Sequence, residues 1–413
     1  MQKKLIAAAV AGLIALPALA QSNVTISGTL KMGWENSKLS GGNVSGHDAE
    51  SRVSDQSSQV VFNVVEDLGG GLKAWGQIDN RINLDRAAGG GAWASGNSGV
   101  GFMHDKWGKF TLGSWDVHYQ ELAGIEATRA GSLQTLFGHG LMSQVASVSS
   151  TVGAAGIQGA FKATGRTEVQ GMMGGRARNL MMWDSPNWNG FTARLAYSTN
   201  AAGNEGNDNR AAGNPGGGRA WTGALRYNNG PWTAGLSYWN ENAESRVVGA
   251  GMRAADGRST RGWVGYTFAM GLKVGLAFDR SSIDNHVLGT ASTVGSGTAR
   301  RTNWMLPVTY TFGPHAIYGK YGHMGSASGS AIASGTGGDY GGHAWMLGYD
   351  YAFSKRTSAG VFYTKVNNDC NAACTVGASY DMFAVAGTTG NQGSVTRRGE
   401  DARQWYIGMA HSF

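Results

Sequence analysis

The residues able to do chemistry are thinly spread. Nine histidines stand at 47, 104, 118, 139, 286, 315, 323, 343 and 411, and none has a second histidine at the spacing of a zinc-hydrolase helix. There is no HExxH, no GxSxG and no phosphate-cradling loop; "GNPGGGRA" reads as a surface connection. A hydrolase needs a nucleophile, a base and an orienting group. No such set occurs, so no catalytic residue, cofactor or metal site is assigned. Cys370 and Cys374, in "NNDCNAACTVG", lie in a turn-rich stretch and suggest a small disulfide loop. A metal site is the rival reading, and it lacks a nearby histidine.

What remains is charge. The formal net charge is +7, and the bases are scattered rather than clustered, which excludes nucleic acid as a partner. They recur singly inside alternating segments: Lys31 in "NVTISGTLKMGW", Lys73 and Arg81 in "LKAWGQIDNRI", Arg194 in "FTARLAYS", and Arg226, Lys273 and Lys320 further on. Fixed charges of one sign facing an enclosed aqueous space select ions. Such a space needs a wall.

The wall is legible as strands of period two. Val24, Ile26, Leu30, Met32 and Trp34 share one face of their segment, and Thr25, Ser27, Thr29 and Lys31 the other. Leu72, Ala74, Ile78 and Ile82 oppose Lys73, Gln77, Asp79 and Arg81, and Phe191, Leu195 and Tyr197 oppose Thr192, Arg194 and Ser198. The closing "QWYIGMAHSF" alternates to its last residue. Sixteen strands are predicted at 23–34, 57–67, 72–83, 98–106, 109–114, 176–185, 191–198, 219–228, 232–239, 259–268, 272–281, 302–312, 315–324, 343–353, 358–365 and 402–413. Tight turns such as "DLGGGLK" and "NNGPW" alternate with long polar connections.

An even strand count with short turns at one end and long loops at the other describes a transmembrane antiparallel β-barrel. In hydrocarbon every backbone N–H and C=O must be paired, and a sheet achieves this only by closing on itself. Trp34, Trp183, Trp232, Trp263, Trp345 and Trp405 read as interfacial girdles. Glycine, at 67 of 413 residues, is about twice its ordinary share and suits a large sheet with glycine-rich loops. The bland alternative is a secreted β-sandwich or β-helix, which would not sort its connections by length. Residues 1–20, with two lysines, an apolar run and Ala18-Leu19-Ala20, have the form of a cleaved secretory signal. Residues 21–413 are then the barrel.

The matching pieces "SNVTISGTLKMGW", "EDLGGGLKAWGQID", "WGKFTLGSWD", "NLMMWDSPNWNGF", "LGYDYAFSKRTSAGVFYTKV" and "GMAHSF" together resemble the sixteen-stranded general porins of Gram-negative bacteria, of the Neisseria and Burkholderia/Comamonas type. The resemblance implies a homotrimer in the outer membrane, in contact with its lipid and lipopolysaccharide. It also implies insertion by the barrel-assembly machinery, which would read Tyr406, Gly408, His411 and Phe413. The function it implies is passive diffusion of small polar solutes. In that family the third loop, here 115–175, folds into the pore, and its acids face a basic wall. Asp116, Glu121 and Glu126 are the acids here, and Glu121 in "HYQELAG" matches a recurrent position. The basic candidates are Arg81, Arg178, Arg194, Lys320, Arg176, Lys31 and Lys73, with Arg178 in a family basic position by parity. Gln59, Ser114 and Met182 stand where the family often carries a basic or polar residue, so a weaker field and a mildly anion-favouring pore are expected. Two alternatives stay open: a substrate-selective channel with Trp75 and Trp239 as a stacking path, and an adhesin or receptor barrel.

Overall fold

The computed structural model describes residues 23–40, 49–56, 58–85, 93–126, 132–133, 176–199, 218–243, 246–248, 251–288, 297–326, 328–329, 342–368 and 401–413. Sixteen strands form one antiparallel sheet. In chain order they are β1 (Asn23–Ser40), β2 (Glu50–Asp55 continued by Ser58–Gly69), β3 (Leu72–Ile82), β4 (Ser98–His104), β5 (Gly108–Asp116), β6 (Arg176–Asp184), β7 (Phe191–Ser198) and β8 (Gly218–Asn229). They continue as β9 (Trp232–Ala243 with an extension Arg246–Val248), β10 (Gly251–Thr267), β11 (Leu272–Leu288), β12 (Gly297–Phe312), β13 (His315–Met324), β14 (Gly342–Ala352), β15 (Thr357–Asn368) and β16 (Asp401–Ser412). Each pairs with its neighbours in sequence, and β1 pairs with β16 from Thr29↔Ser412 to Ser40↔Asp401. The sheet is therefore closed, and among the described residues every strand has a paired neighbour on each side.

The two faces separate by chemistry. Outward positions are apolar and bare, as with Leu236 at 63% exposed, Leu347 at 56% and Ile407 at 54%. Inward positions on the same strands, among them Ser237, Met346 and Tyr406, are buried. This is what a shell with hydrocarbon outside and water inside requires. All sixteen predicted strands are present. Several run further toward the long loops than the alternation indicated: β11 reaches Leu288 and β10 begins at Gly251. Beyond the apolar belt the outward face no longer meets hydrocarbon, so Ser281, Ser282, Asp284 and Asn285 carry no period-two signal.

The seam where the barrel closes is bonded on both levels. Along the backbone, Gly28 N donates to Phe413 O and Phe413 N to Gly28 O, each at 3.1 Å. On the inner face, Glu35 is fully buried, paired to Arg52 and accepting from Gln404 Nε2 at 2.6 Å. Tyr406 donates to Ser54 O at 3.3 Å and stacks on Phe362 with ring centroids 5.1 Å apart. Gly408 is what lets the Tyr406 ring lie flat on the wall, because a Cβ there would come within 2.7 Å of that ring. His411 and Phe413 face outward, and His411 Nδ1 pairs with Thr357 Oγ1 at 2.9 Å. Residues 1–20 and Cys370 and Cys374 lie outside the described residues.

Candidate functional site on the inner wall

After β5 the chain turns inward as a 3-10 turn, His118–Gln120, and a four-residue helix, α1 (Ala123–Glu126). This segment lies along the inner face of β7–β14. Three hydrophobic side chains seat it: Leu122, Ile125 and Leu133 are 0–1% exposed and share a cluster with Trp263, Met305, Tyr318, Met346 and Phe362. Gly265 and Gly275 make the approach possible. A Cβ on either would come within about 3.0 Å of Ile125. The apolar inner patch on β12–β16 is thus the other half of a core, which period-two alternation alone could not tell from a wet surface.

Ion pairs fasten the polar side of the segment. Arg194 forks onto Asp184 (Nε 2.7 Å, Nη2 3.1 Å) and reaches Glu121 through Nη1 at 3.2 Å. Arg226 donates to Glu121 through Nη2 at 2.6 Å and lies 3.5 Å from Asp184. Glu126 meets Lys320 Nζ at 3.1 Å, both side chains fully buried. Asp350 of β14 accepts from Leu133 N at 3.2 Å and from the Ser132 hydroxyl.

His118 forms the deepest contact. Its Nδ1 is 2.7 Å from Ser237 Oγ and its Nε2 is 2.8 Å from Ser259 Oγ. Ser259 donates to Asp279 at 2.8 Å, so it has no proton left for the imidazole and must accept from Nε2–H. Ser237 then donates to Nδ1. Arg261 completes the group, bonding His118 O at 2.9 Å and Asp279 at 3.2 Å. Burial first, and the Arg261 charge second, hold the imidazole well below its ordinary value. His118 is therefore neutral, and Arg261 and Asp279 balance each other.

On this side most of the charge is taken up by contacts; Lys273 also bonds Gly124 O, and Arg301 meets the Met324 sulfur. Four bases (Arg194, Arg226, Arg261, Lys320) meet four acids (Asp184, Glu121, Asp279, Glu126). The wall of β1–β5 differs. Arg81 pairs with Asp79 at 3.0 Å, and Arg176, at the start of β6, pairs with Asp116 at 3.1 Å. Lys31, Lys73 and Lys109 are on the inner face, half-buried, and make no ion pair within 4 Å among the described residues. Lys109 Nζ sits 3.5 Å above the Trp75 ring.

The structure brings Glu121 to Arg194 and Glu126 to Lys320, and sets Arg81, Arg176, Lys31 and Lys73 apart from them. Parity puts Arg178 on the inner face, but alternation is broken beside it. The strand bulges beside it, with Asn179 at φ 50° and the register slipping between Gly113 and Trp115. Arg261 and Lys109 were missed. Arg261 shares a face with Ser259 and Trp263, and reading Trp263 as an interfacial residue hid all three; Trp263 is 5% exposed and packs inward. Trp75 and Trp239 are 5% and 2% exposed, with their indole N–H groups bonded to Phe110 O and Glu241. Their rings are covered, and so they offer no open stacking path.

A family profile described as Gram-negative porin matches residues 7–372. The chain is 34% identical over 116 residues to a major outer membrane protein P.IB of Neisseria meningitidis serogroup B, a match that spans 27% of this chain and 33% of that protein. It is 24% identical over 399 residues to an outer membrane porin protein of Bordetella pertussis, covering 87% and 92% of the two. Among solved structures, the anion-selective porin from Comamonas acidovorans aligns over 95% of this chain and all of its own, with a TM-score of 0.66 at 22% identity. OmpT of Vibrio cholerae in its trimer form aligns over 95% and 99%, with a TM-score of 0.59 at 12% identity.

Proposed function

Because the chain belongs to the Gram-negative porin family, we propose that it is a passive outer-membrane channel for small hydrophilic solutes and ions, with a mild preference for anions. The third loop narrows the passage, and three such barrels assemble as a trimer. No covalent step is involved. Solutes cross through the water left beside the inward-folded segment, and selection comes from fixed charge and width.

The carrying observation is the uneven pairing of the two walls. Where the loop segment docks, Arg194, Arg226, Arg261 and Lys320 are each met by an acid, which takes up most of their field. On β1, β3 and β5, Lys31, Lys73 and Lys109 keep their charge toward the lumen without an ion-pair partner among the described residues. Lys73 stands opposite Asp67 and Lys109 opposite Asp184 in the strand register, which tempers the excess. Single-channel recording of the purified protein in a KCl gradient tests the reading. A linear, unsaturating conductance and a reversal potential displaced toward chloride are expected. A protein that makes no conducting pore would overturn the channel, leaving a receptor or adhesin barrel.

A further inference from the structure

On the outward face of β12–β15, one row of the strand register reads Trp304, His323, His343, Asn367. It stands where these strands leave the apolar belt on the long-loop side. Tyr321 and Trp345 form the row directly beneath the histidines, and Leu347, lower on the same face, is exposed to hydrocarbon. The inner faces of the same strands carry Met324, Ala344 and Met346, all buried. Both histidines are partly exposed. His323 and His343 are direct partners across the β13–β14 pairing, so their Cβ atoms stand about 5 Å apart.

The two rings are steadied from the side. His323 lies against Trp304 with ring centroids 5.9 Å apart, and His343 stacks on Tyr321 at 6.0 Å with an interplanar angle of 23°. The Asn367 amide nitrogen is 3.0 Å from His343 Nε2. Turned over, that amide presents its oxygen to Nε2–H and puts the ring's lone pair on Nδ1. His323 makes no hydrogen bond among the described residues. As rim polarity alone the pair is a poor choice, because two imidazoles in register repel once protonated. As a chelate it is apt. A metal bound to two ring nitrogens at about 2.1 Å holds them roughly 3–4 Å apart, a span that rings on facing positions of adjacent strands can close. Lys365 and Arg403 follow Trp345 along the row beneath, so a hard cation held by charge is disfavoured there. Imidazole nitrogens suit copper, nickel and zinc instead.

We propose that His323 and His343 chelate a divalent late transition metal of the copper or zinc class. Asn367 fixes the tautomer of His343, and water completes the coordination shell. The ion clips β13 to β14 at the foot of the connection between them, on the outside of the barrel. The site is separate from the lumen, so its failure leaves the channel reading standing.

Copper(II) titrated into the full-length protein in detergent, followed by calorimetry and electron paramagnetic resonance, reads the site. One ion per chain with two nitrogen ligands is expected. His323→Asn and His343→Asn should each remove the two-nitrogen signal, while Asn367→Ala keeps it and weakens binding about tenfold. His315→Asn, at the opposite rim, leaves binding unchanged. Zinc should raise the unfolding midpoint of the wild type and not that of H323N/H343N, and calcium should raise neither. Circular dichroism unchanged from the wild type shows the variants folded. Equal copper affinity in the wild type and H323N/H343N overturns the proposal. So does one ion per two chains, which assigns the metal to a contact between copies, and so does calcium binding as tightly as zinc.

Discussion

The inner surface is two walls with opposite habits. Along β7–β14 charge is spent on structure: Arg194, Arg226, Arg261 and Lys320 each reach an acid within 3.5 Å, and two of these pairs are sealed from water. Along β1–β5 lysines stay half-buried and without an ion pair among the described residues. The difference teaches that a count of lumen-facing bases does not measure a pore's field. What matters is how many remain after the inward-folded segment has taken its share.

The largest effect is expected from breaking a sealed pair. Lys320→Ala leaves Glu126 buried without its partner and should destabilise the barrel by about 3–5 kcal/mol. Thermal unfolding in detergent should show a lowered midpoint, and the double change with Glu126→Gln should recover part of it. An unchanged midpoint would mean that the segment is not seated as described.

Acid attacks the same wall through His118. Its neutral form is favoured in the fold, so the unfolded chain binds the extra proton. The stabilisation is present above the unfolded value near 6.5 and is lost as pH falls below it. Unfolding midpoints should therefore drop between pH 6.5 and 5, and His118→Asn should flatten the drop. A slope that survives the substitution would assign the acid sensitivity to carboxylates elsewhere.

Glu121→Gln blurs the contrast between the walls by leaving Arg194 and Arg226 with Asp184 as their shared acid, and it should raise anion preference. Lys31→Glu acts from the other side. Two units of charge felt at about 10 Å through water amount to roughly 0.8 kcal/mol, or about fourfold in the permeability ratio, toward cations. Reversal potentials in a salt gradient measure both, and shifts of the wrong sign would place the filter elsewhere. Arg178→Glu, at the bulge, should give the smallest shift of the set. A shift as large as that of Lys31→Glu would restore Arg178 to the constriction.

The strand count was legible because lipid enforces alternation on every crossing segment, and Leu72–Ile82 or Phe191–Ser198 cannot be read any other way. The strand extensions were not, since outside the belt no solvent difference marks the faces. The partners of Glu121 and Glu126 are 73 and 194 residues away from them, and periodicity says which face a residue takes but not what it meets there. Arg178 shows the method's weak point: a single inserted residue shifts every later side chain across the sheet. Trp263 shows another, because a tryptophan suits a membrane interface and a core equally well.

The bond between Thr29 and Ser412 spans 383 positions, and it sets the order of events during biogenesis. One edge of the first strand, the one not held by β2, must stay unpaired until the last strand emerges. During that interval two raw sheet edges are exposed, the kind that stick to any passing chain. Until the circle shuts, each of those edges is a place where a wrong strand can pair.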